Sequence, residues 1–209
     1  MNLSDFYKLV DSNPPAFHYW DNEPKVGGLD KPYFEWLESL GGLLGRSGEK
    51  VVVETGAGLS TLFFLSSSYS VHSFGMPYTI NLIGEYLLPH PNISGKWFPH
   101  SGESELALPI FSKKCNNQPA SLCLIDGSHS IPAVFSDFCH VNALLCDRGV
   151  LVVDDTQLPG PQLLVQMLTQ LSGDWKNIGS FSKGIAFQKL SHRPYWADNM
   201  EKMQFHFPG

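Results

Sequence analysis

The sequence predicts a doubly wound, mostly parallel seven-stranded α/β sheet with an antiparallel edge hairpin at its C-terminal side, and three observations carry that class. The first is Val51, Val52 and Val53, a β-branched apolar run of the kind buried on both faces of a sheet, closed by Gly56 and Gly58. The second is alternation. Short β-rich runs at residues 69–74, 96–99, 121–125 and 149–153 are separated by helix-length stretches around residues 77–88, 105–111, 132–145 and 161–171. Right-handed crossovers between such strands wind the chain both ways and put a ligand at the strands' carboxyl ends, near the switch point. The third is the ending, where residues 175–181, the turn Ser182-Lys183-Gly184 and residues 185–190 read as a hairpin.

Composition bounds the rest. A chain of 209 residues with 43% apolar content buries one good core. We expect N-terminal helices and a Pro/Gly/aromatic flank over residues 1–49, the α/β domain over 50–190 and an aromatic tail over 191–209. A net charge of −6 leaves no basic footprint for nucleic acid, so a small-molecule or protein partner is expected. The first residues, M-N-L-S-D-F, lack a basic or apolar leader, and no apolar run reaches bilayer length, which predicts a soluble, cytoplasmic protein with no membrane partner. Cys115, Cys123, Cys139 and Cys146 form no C-x-x-C pair and read as reduced and mostly buried.

In chain order, Leu3, Phe6, Tyr7 and Val10 make one face of a short amphipathic helix. Residues 12–32 interleave Pro14, Pro15, Pro24, Gly27 and Gly28 with Phe17, Tyr19 and Trp20, a mixture unsuited to a helix yet too aromatic for a solvated linker. It is expected to lie across the domain as a lid or flank. Asp30 reads as an N-cap with Pro32 in the first turn, and Phe34, Leu37 and Leu40 give a stripe ending at Gly41-Gly42. After the valines, the glycine pair allows a sharp turn and close ligand approach. Ser60 and Thr61 are expected to cap a helix carrying Leu62, Phe63 and Leu65. The alternative is a strand-turn-helix joint with no ligand.

The loop discriminates between cofactors. A dinucleotide site needs G-x-G-x-x-G, but Thr61 stands at the third position and the second strand, V-H-S-F-G, ends without an acid. Instead Glu54 directly precedes the turn in E-T-G-A-G, which is similar to the first motif of class I S-adenosylmethionine-dependent methyltransferases. Further on, C-L-I-D-G-S-H-S (residues 123–130) and L-L-C-D-R-G-V-L-V-V-D-D (residues 144–155) resemble the D-G-x-H and G-G-x-x-x-x-D-D signatures of a family related to catechol O-methyltransferase-like enzymes. The resemblance covers about residues 50–190 and implies a Rossmann-like methyltransferase fold. It puts Glu54, Thr55, Gly56, Ala57, Gly58 and Ser60 around the methionine end of the cofactor and Glu103 and Ser104 near the adenine. Asp126, Gly127, Ser128 and His129 would line the seam between cofactor and acceptor. The acid that binds the ribose hydroxyls in most relatives is missing from Ser73-Phe74-Gly75-Met76, where Tyr78 or a backbone contact would have to serve.

Methyl transfer itself asks for in-line alignment, exclusion of water and removal of the nucleophile's proton. His129, three residues past Asp126, is the candidate base, with capping of the following helix as its alternative role. Asp126, Asp154 and Asp155 converge at strand ends with nothing basic nearby in sequence except Arg148, which predicts a divalent cation such as Mg²⁺ among them. The alternative is that one of the adjacent pair caps a turn while the other faces water. His18, His72, His90, His100, His140, His192 and His206 lack ligand spacing and read as structural or surface groups. The tail, with Tyr195, Trp196, Phe205 and Phe207, is left between wrapping the sheet edge, covering the site and meeting a second copy in a homodimer. The residues therefore point to an O-methyltransferase using S-adenosylmethionine on a small-molecule acceptor. A methyltransferase-like binding module without turnover and, behind it, a nicotinamide oxidoreductase are the competing classes.

Overall fold

The computed structural model of the protein describes residues 1–20, 23–41, 50–115 and 120–190. Calls on Gly42 and on the aromatic tail with His192 and His206 lie outside them. α1 (Leu3–Ser12) starts at Asn2, whose side chain accepts from the Asp5 amide while Asp5 accepts from the Asn2 amide, satisfying two donors the helix leaves open. Residues 12–32, expected to be irregular, hold a small hairpin of β1 (His18–Trp20) and β2 (Glu23–Lys25). α2 (Lys31–Gly41) begins as its sequence predicts, with Asp30 accepting from the Tyr33 amide at 3.1 Å.

The central sheet contains β3 (Val51–Thr55), β4 (Ser70–Gly75), β5 (Trp97–Ser101), β6 (Ala120–Ile125), β7 (Leu145–Val153), β8 (Trp175–Phe181) and β9 (Gly184–Lys189) in the order β5-β4-β3-β6-β7-β9-β8. All pairs from β5 to β7 are parallel, and β9 enters antiparallel between β7 and β8. The predicted fold class is therefore borne out. Between the strands run α3 (Leu59–Ser66), α4 (Pro77–Leu87), α5 (Pro91–Ser94), α6 (Ser104–Lys114), α7 (Ile131–Leu144) and α8 (Pro159–Gln170). β7 begins four residues before the predicted start because Leu145 pairs with Ala120 ahead of a register shift, with Arg148 in the left-handed region at the irregularity.

The valine run is apolar throughout because both of its faces are covered. Val52 packs with Leu122, Leu124, Val150 and Val152 beneath Phe6, Phe34 and Phe63 of α1, α2 and α3. Val53 packs on the opposite face with Cys123, Leu151 and Val153 against Val134, Phe138 and Leu164 of α7 and α8. All four cysteines are free, Cys123 buried and the others partly so. No helix among the described residues is long and apolar enough to cross a membrane. The chain reverses its direction of winding between β3 and β6, and their carboxyl ends flank a crevice.

Candidate functional site

A cavity of about 460 Å³ occupies that crevice. Its floor is the turn after β3 and the turn after β6, and its walls come from the ends of β4 and β7, the start of α6, and the N-terminal strap with His18 and Gly28. The ladder continues one residue past the strands, with the Asp126 amide donating to Thr55 and the Asp154 amide to Ile125. Gly56 turns at φ +88°, and a Cβ there would lie 2.2 Å from the Asp126 carbonyl oxygen. The neighbouring loop thus demands the glycine in addition to the sharp turn expected of it. Gly58 sits beneath the His18 ring, which a Cβ would approach to 2.9 Å.

Glu54 is fully buried and stands off the cavity wall. Its carboxylate accepts hydrogen bonds from Ser60 at 2.8 Å, Ser73 at 2.6 Å and Thr61. Burial pushes its pKa up to about 7 against these three hydroxyl donors, which pull it down. Glu54 therefore braces the loop from below, and neither it nor Thr55 is among the residues that line the cavity. Ser60 and Thr61 are drawn to Glu54 instead of capping α3, although Thr61 also accepts from the Gly58 amide at 3.2 Å. Gly56, Ala57, Gly58, Ser60, Glu103, Ser104, Asp126, Gly127, Ser128 and His129 all line the cavity. Ser104 is held by Asp137 of α7 at 2.9 Å, a carboxyl raised by burial to about 6 against the Ser104 and Thr55 hydrogen bonds.

The acidic end of the cavity differs from its predicted form. Asp155 adopts φ +49°, a turn that an aspartate tolerates, and lines the cavity, whereas Asp154 does not and is completely buried. Tyr33 of α2 donates to Asp154 at 2.7 Å, and Lys183 lies 3.0 Å from its other oxygen. Lys183 also donates to Asp155 at 2.8 Å. The second oxygen of Asp155 faces His129 Nε2 at 3.0 Å, and Asp126 stands 4.0 Å from the same nitrogen. The predicted set of Asp126, Asp154 and Asp155 is thus split. Asp126, His129 and Asp155 each offer a ligand atom within 4.8 Å of one another, while Asp154 points into the protein.

Electrostatics follow the packing. Burial and then the charge of Asp154 raise the Asp126 carboxyl well above its ordinary value, partly offset by Lys183. Burial would also raise Asp155, but hydrogen bonds from Lys183 and Gln157 and the charges of Lys183 and His129 reverse that and hold it low. Burial alone would lower the Lys183 ammonium, yet Asp155 and Asp154 raise it above the usual lysine range. His129 does not cap the helix after it. Ser130 does, accepting from the Ala133 amide, and Gly160 of α8 packs against the His129 carbonyl more closely than a Cβ would permit.

Residues 53–156, the segment that builds this cavity, match the family model of a methyltransferase domain. The chain belongs to this methyltransferase family. A comparison with curated protein sequences finds no match. Among solved structures, the protein is similar to the O-methyltransferase TomG from Streptomyces achromogenes, in complex with SAM, at 15% identity over 90% of this chain and 89% of that one, with a TM-score of 0.63. It is similar to the O-methyltransferase NovP at 11% identity over 90% and 98% of the two chains, with a TM-score of 0.66. It also resembles the MycE methyltransferase of mycinamycin biosynthesis, in complex with Mg and SAH, at 13% identity and a TM-score of 0.58. That match covers 92% of this chain, which spans about half (55%) of MycE's length.

Two wall residues of the cavity escape a reading of motifs. His18, classed above as structural or surface, lines the cavity from a hairpin that carries no recognisable spacing. Lys183 reads as a turn residue, yet the register gives it away. β9 pairs Ile185 with Val153, so the residue two before Ile185 falls opposite the residue two after Val153, which is Asp155.

Proposed function

We propose that the protein is an S-adenosylmethionine-dependent O-methyltransferase acting on a small-molecule acceptor with an ionisable hydroxyl. The observation that carries this reading is one cavity with a glycine-turned floor at the carboxyl ends of β3 and β6 and an imidazole-carboxylate pair in its wall. The family match and the cofactor named with TomG support it. The turn from Gly56 to Gly58 would take the amino-acid end of the cofactor, Glu103 and Ser104 the adenine, and Asp126 to His129 the boundary with the acceptor. The cofactor supplies an electrophilic methyl on a sulfonium, so that an acceptor oxygen forms the C–O bond as the C–S pair returns to sulfur.

The chain's part is alignment and proton removal. His129 turns Nε2 to Asp155 at 3.0 Å, which leaves Nδ1 to take the acceptor's proton while Asp155 stabilises the imidazolium that results. The strap with His18 and Gly28 forms part of the cavity wall and so narrows the access of water. A second reading, binding without turnover, is favoured by Met76. This residue is 58% exposed just past β4, where a ribose-binding acid would be expected.

Calorimetric titration with S-adenosylhomocysteine and NAD tests the proposal. Binding of S-adenosylhomocysteine but not NAD is the expected result, and a folded protein that binds neither overturns it. Cofactor binding without transfer to any of a panel of phenols and hydroxylated small molecules would select the second reading.

A further inference from the structure

We propose that Lys183 is the resident cation of the acceptor end, standing where a divalent metal would otherwise balance Asp154 and Asp155, and that this chain transfers methyl groups without such a metal. The proposal rests on the reading of the cavity as a methyltransferase site. Its ground is a conflict between the carboxylates and an ion. Mg²⁺ or Mn²⁺ binds carboxylate oxygens at about 2.0–2.2 Å. The Lys183 nitrogen already lies 2.8 Å from Asp155 Oδ1 and 3.0 Å from Asp154 Oδ2. An ion on both groups would lie within about 3 Å of that ammonium, a contact of like charges in a half-buried place. The other assembly, Asp126, His129 and Asp155, draws on the same Asp155 carboxylate that Lys183 already binds, so an ion there would compete with the ammonium for it.

The lysine is built into this position. Its carbonyl oxygen accepts from both the amide and the hydroxyl of Thr156, at 3.0 and 2.8 Å, which ties the β8–β9 turn to the end of β7. Its side chain is 24% exposed, and a Cβ on Gly28 of the strap would come within 3.0 Å of its nitrogen. The ammonium donates to Asp155 and lies 3.0 Å from Asp154, and with three donors in all it keeps one for the cavity. An ammonium there can hold the acceptor's oxygen as it ionises, while the proton leaves to His129 and the oxygen's electron pair goes to the methyl carbon. The acceptor class follows as one with a single acidic oxygen, such as a phenol. A chelating pair of oxygens is not required.

Electron paramagnetic resonance of Mn²⁺ titrated into the protein without cofactor tests this independently of activity. Wild type is expected to bind Mn²⁺ no more tightly than about millimolar, and Lys183→Met to bind it at least about tenfold more tightly, because the carboxylates lose their counter-charge. Lys183→Arg should behave as wild type. Micromolar Mn²⁺ binding by wild type overturns the proposal, as does a folded Lys183→Met protein, checked by circular dichroism, with no gain. S-adenosylhomocysteine binding is measured on the same samples. Its absence would count against the methyltransferase reading and leave the metal result standing.

Discussion

Glu54 is a carboxyl held where water cannot reach, and that alone makes the protein's stability depend on pH. Its folded pKa of about 7 lies above the ordinary carboxyl value of 4.5. The stability it contributes is fully present below about pH 4.5 and is lost as pH rises through about 7, because the unfolded chain releases the proton first. Asp137, raised to about 6, acts in the same direction. Burial lowers the imidazoles of His18, His72, His100 and His140, with His72 at about 4, and these act in the opposite direction. The Glu54 share is therefore a difference. Urea unfolding at pH 5 and pH 8 should show wild type losing about 1–3 kcal/mol more than Glu54→Gln across that interval. Equal losses in the two proteins would remove the buried acid from this role. At this scale the sequence announced an acid before a glycine turn, but it could not say which way the acid faced. That depended on Ser73, brought alongside by the pairing of β3 with β4.

Among elements, α6 departs most from its sequence. It runs from Ser104 to Lys114 with Pro109 inside, where the ring removes one backbone donor and crowds the preceding turn. The prediction, residues 105–111, already runs through Pro109 and stops three residues short of the observed end. The helix persists because Leu108 is fully buried in the core beside Ala107 and Phe111, so tertiary packing outweighs local propensity. Pro109→Ala should raise unfolding free energy by about 1 kcal/mol, since the restored hydrogen bond is partly offset by a more flexible unfolded chain. Denaturant midpoints at constant slope would measure it, and a destabilised variant would mean the proline fits a bend the helix needs. α1, α2 and α7 were legible because their signals are local, such as the apolar period and the caps. The β1–β2 hairpin was not legible, since a strand of three residues leaves almost no period to read.

Over the whole molecule, the doubly wound parallel class and the position of the crevice could be read from alternation and the glycine turn, because such sheets leave few choices. The partners of Asp154 could not be read so directly. Tyr33 comes from 121 residues earlier and Lys183 from the returning hairpin, so both join Asp154 only when the tertiary fold closes. Tyr33→Phe removes the hydroxyl from a carboxylate with no exposure to water and should cost about 1–3 kcal/mol in global unfolding, with little change in secondary structure by circular dichroism. A cost below about 0.5 kcal/mol would mean that Lys183 alone satisfies the group.

The antiparallel entry of β9 has a consequence for the newborn chain. Every strand from β3 to β7 has been made before residues 184–189 appear, so β7 waits with a bare row of amides and carbonyls along its length. Asp154 and Asp155 wait with it, still without their ammonium. Until the hairpin arrives, the nascent protein carries a sticky rim and an unbalanced charge at the same edge. One stroke of strand insertion cures both, so the last piece of the sheet to be made is also the piece that completes the acidic end of the cavity.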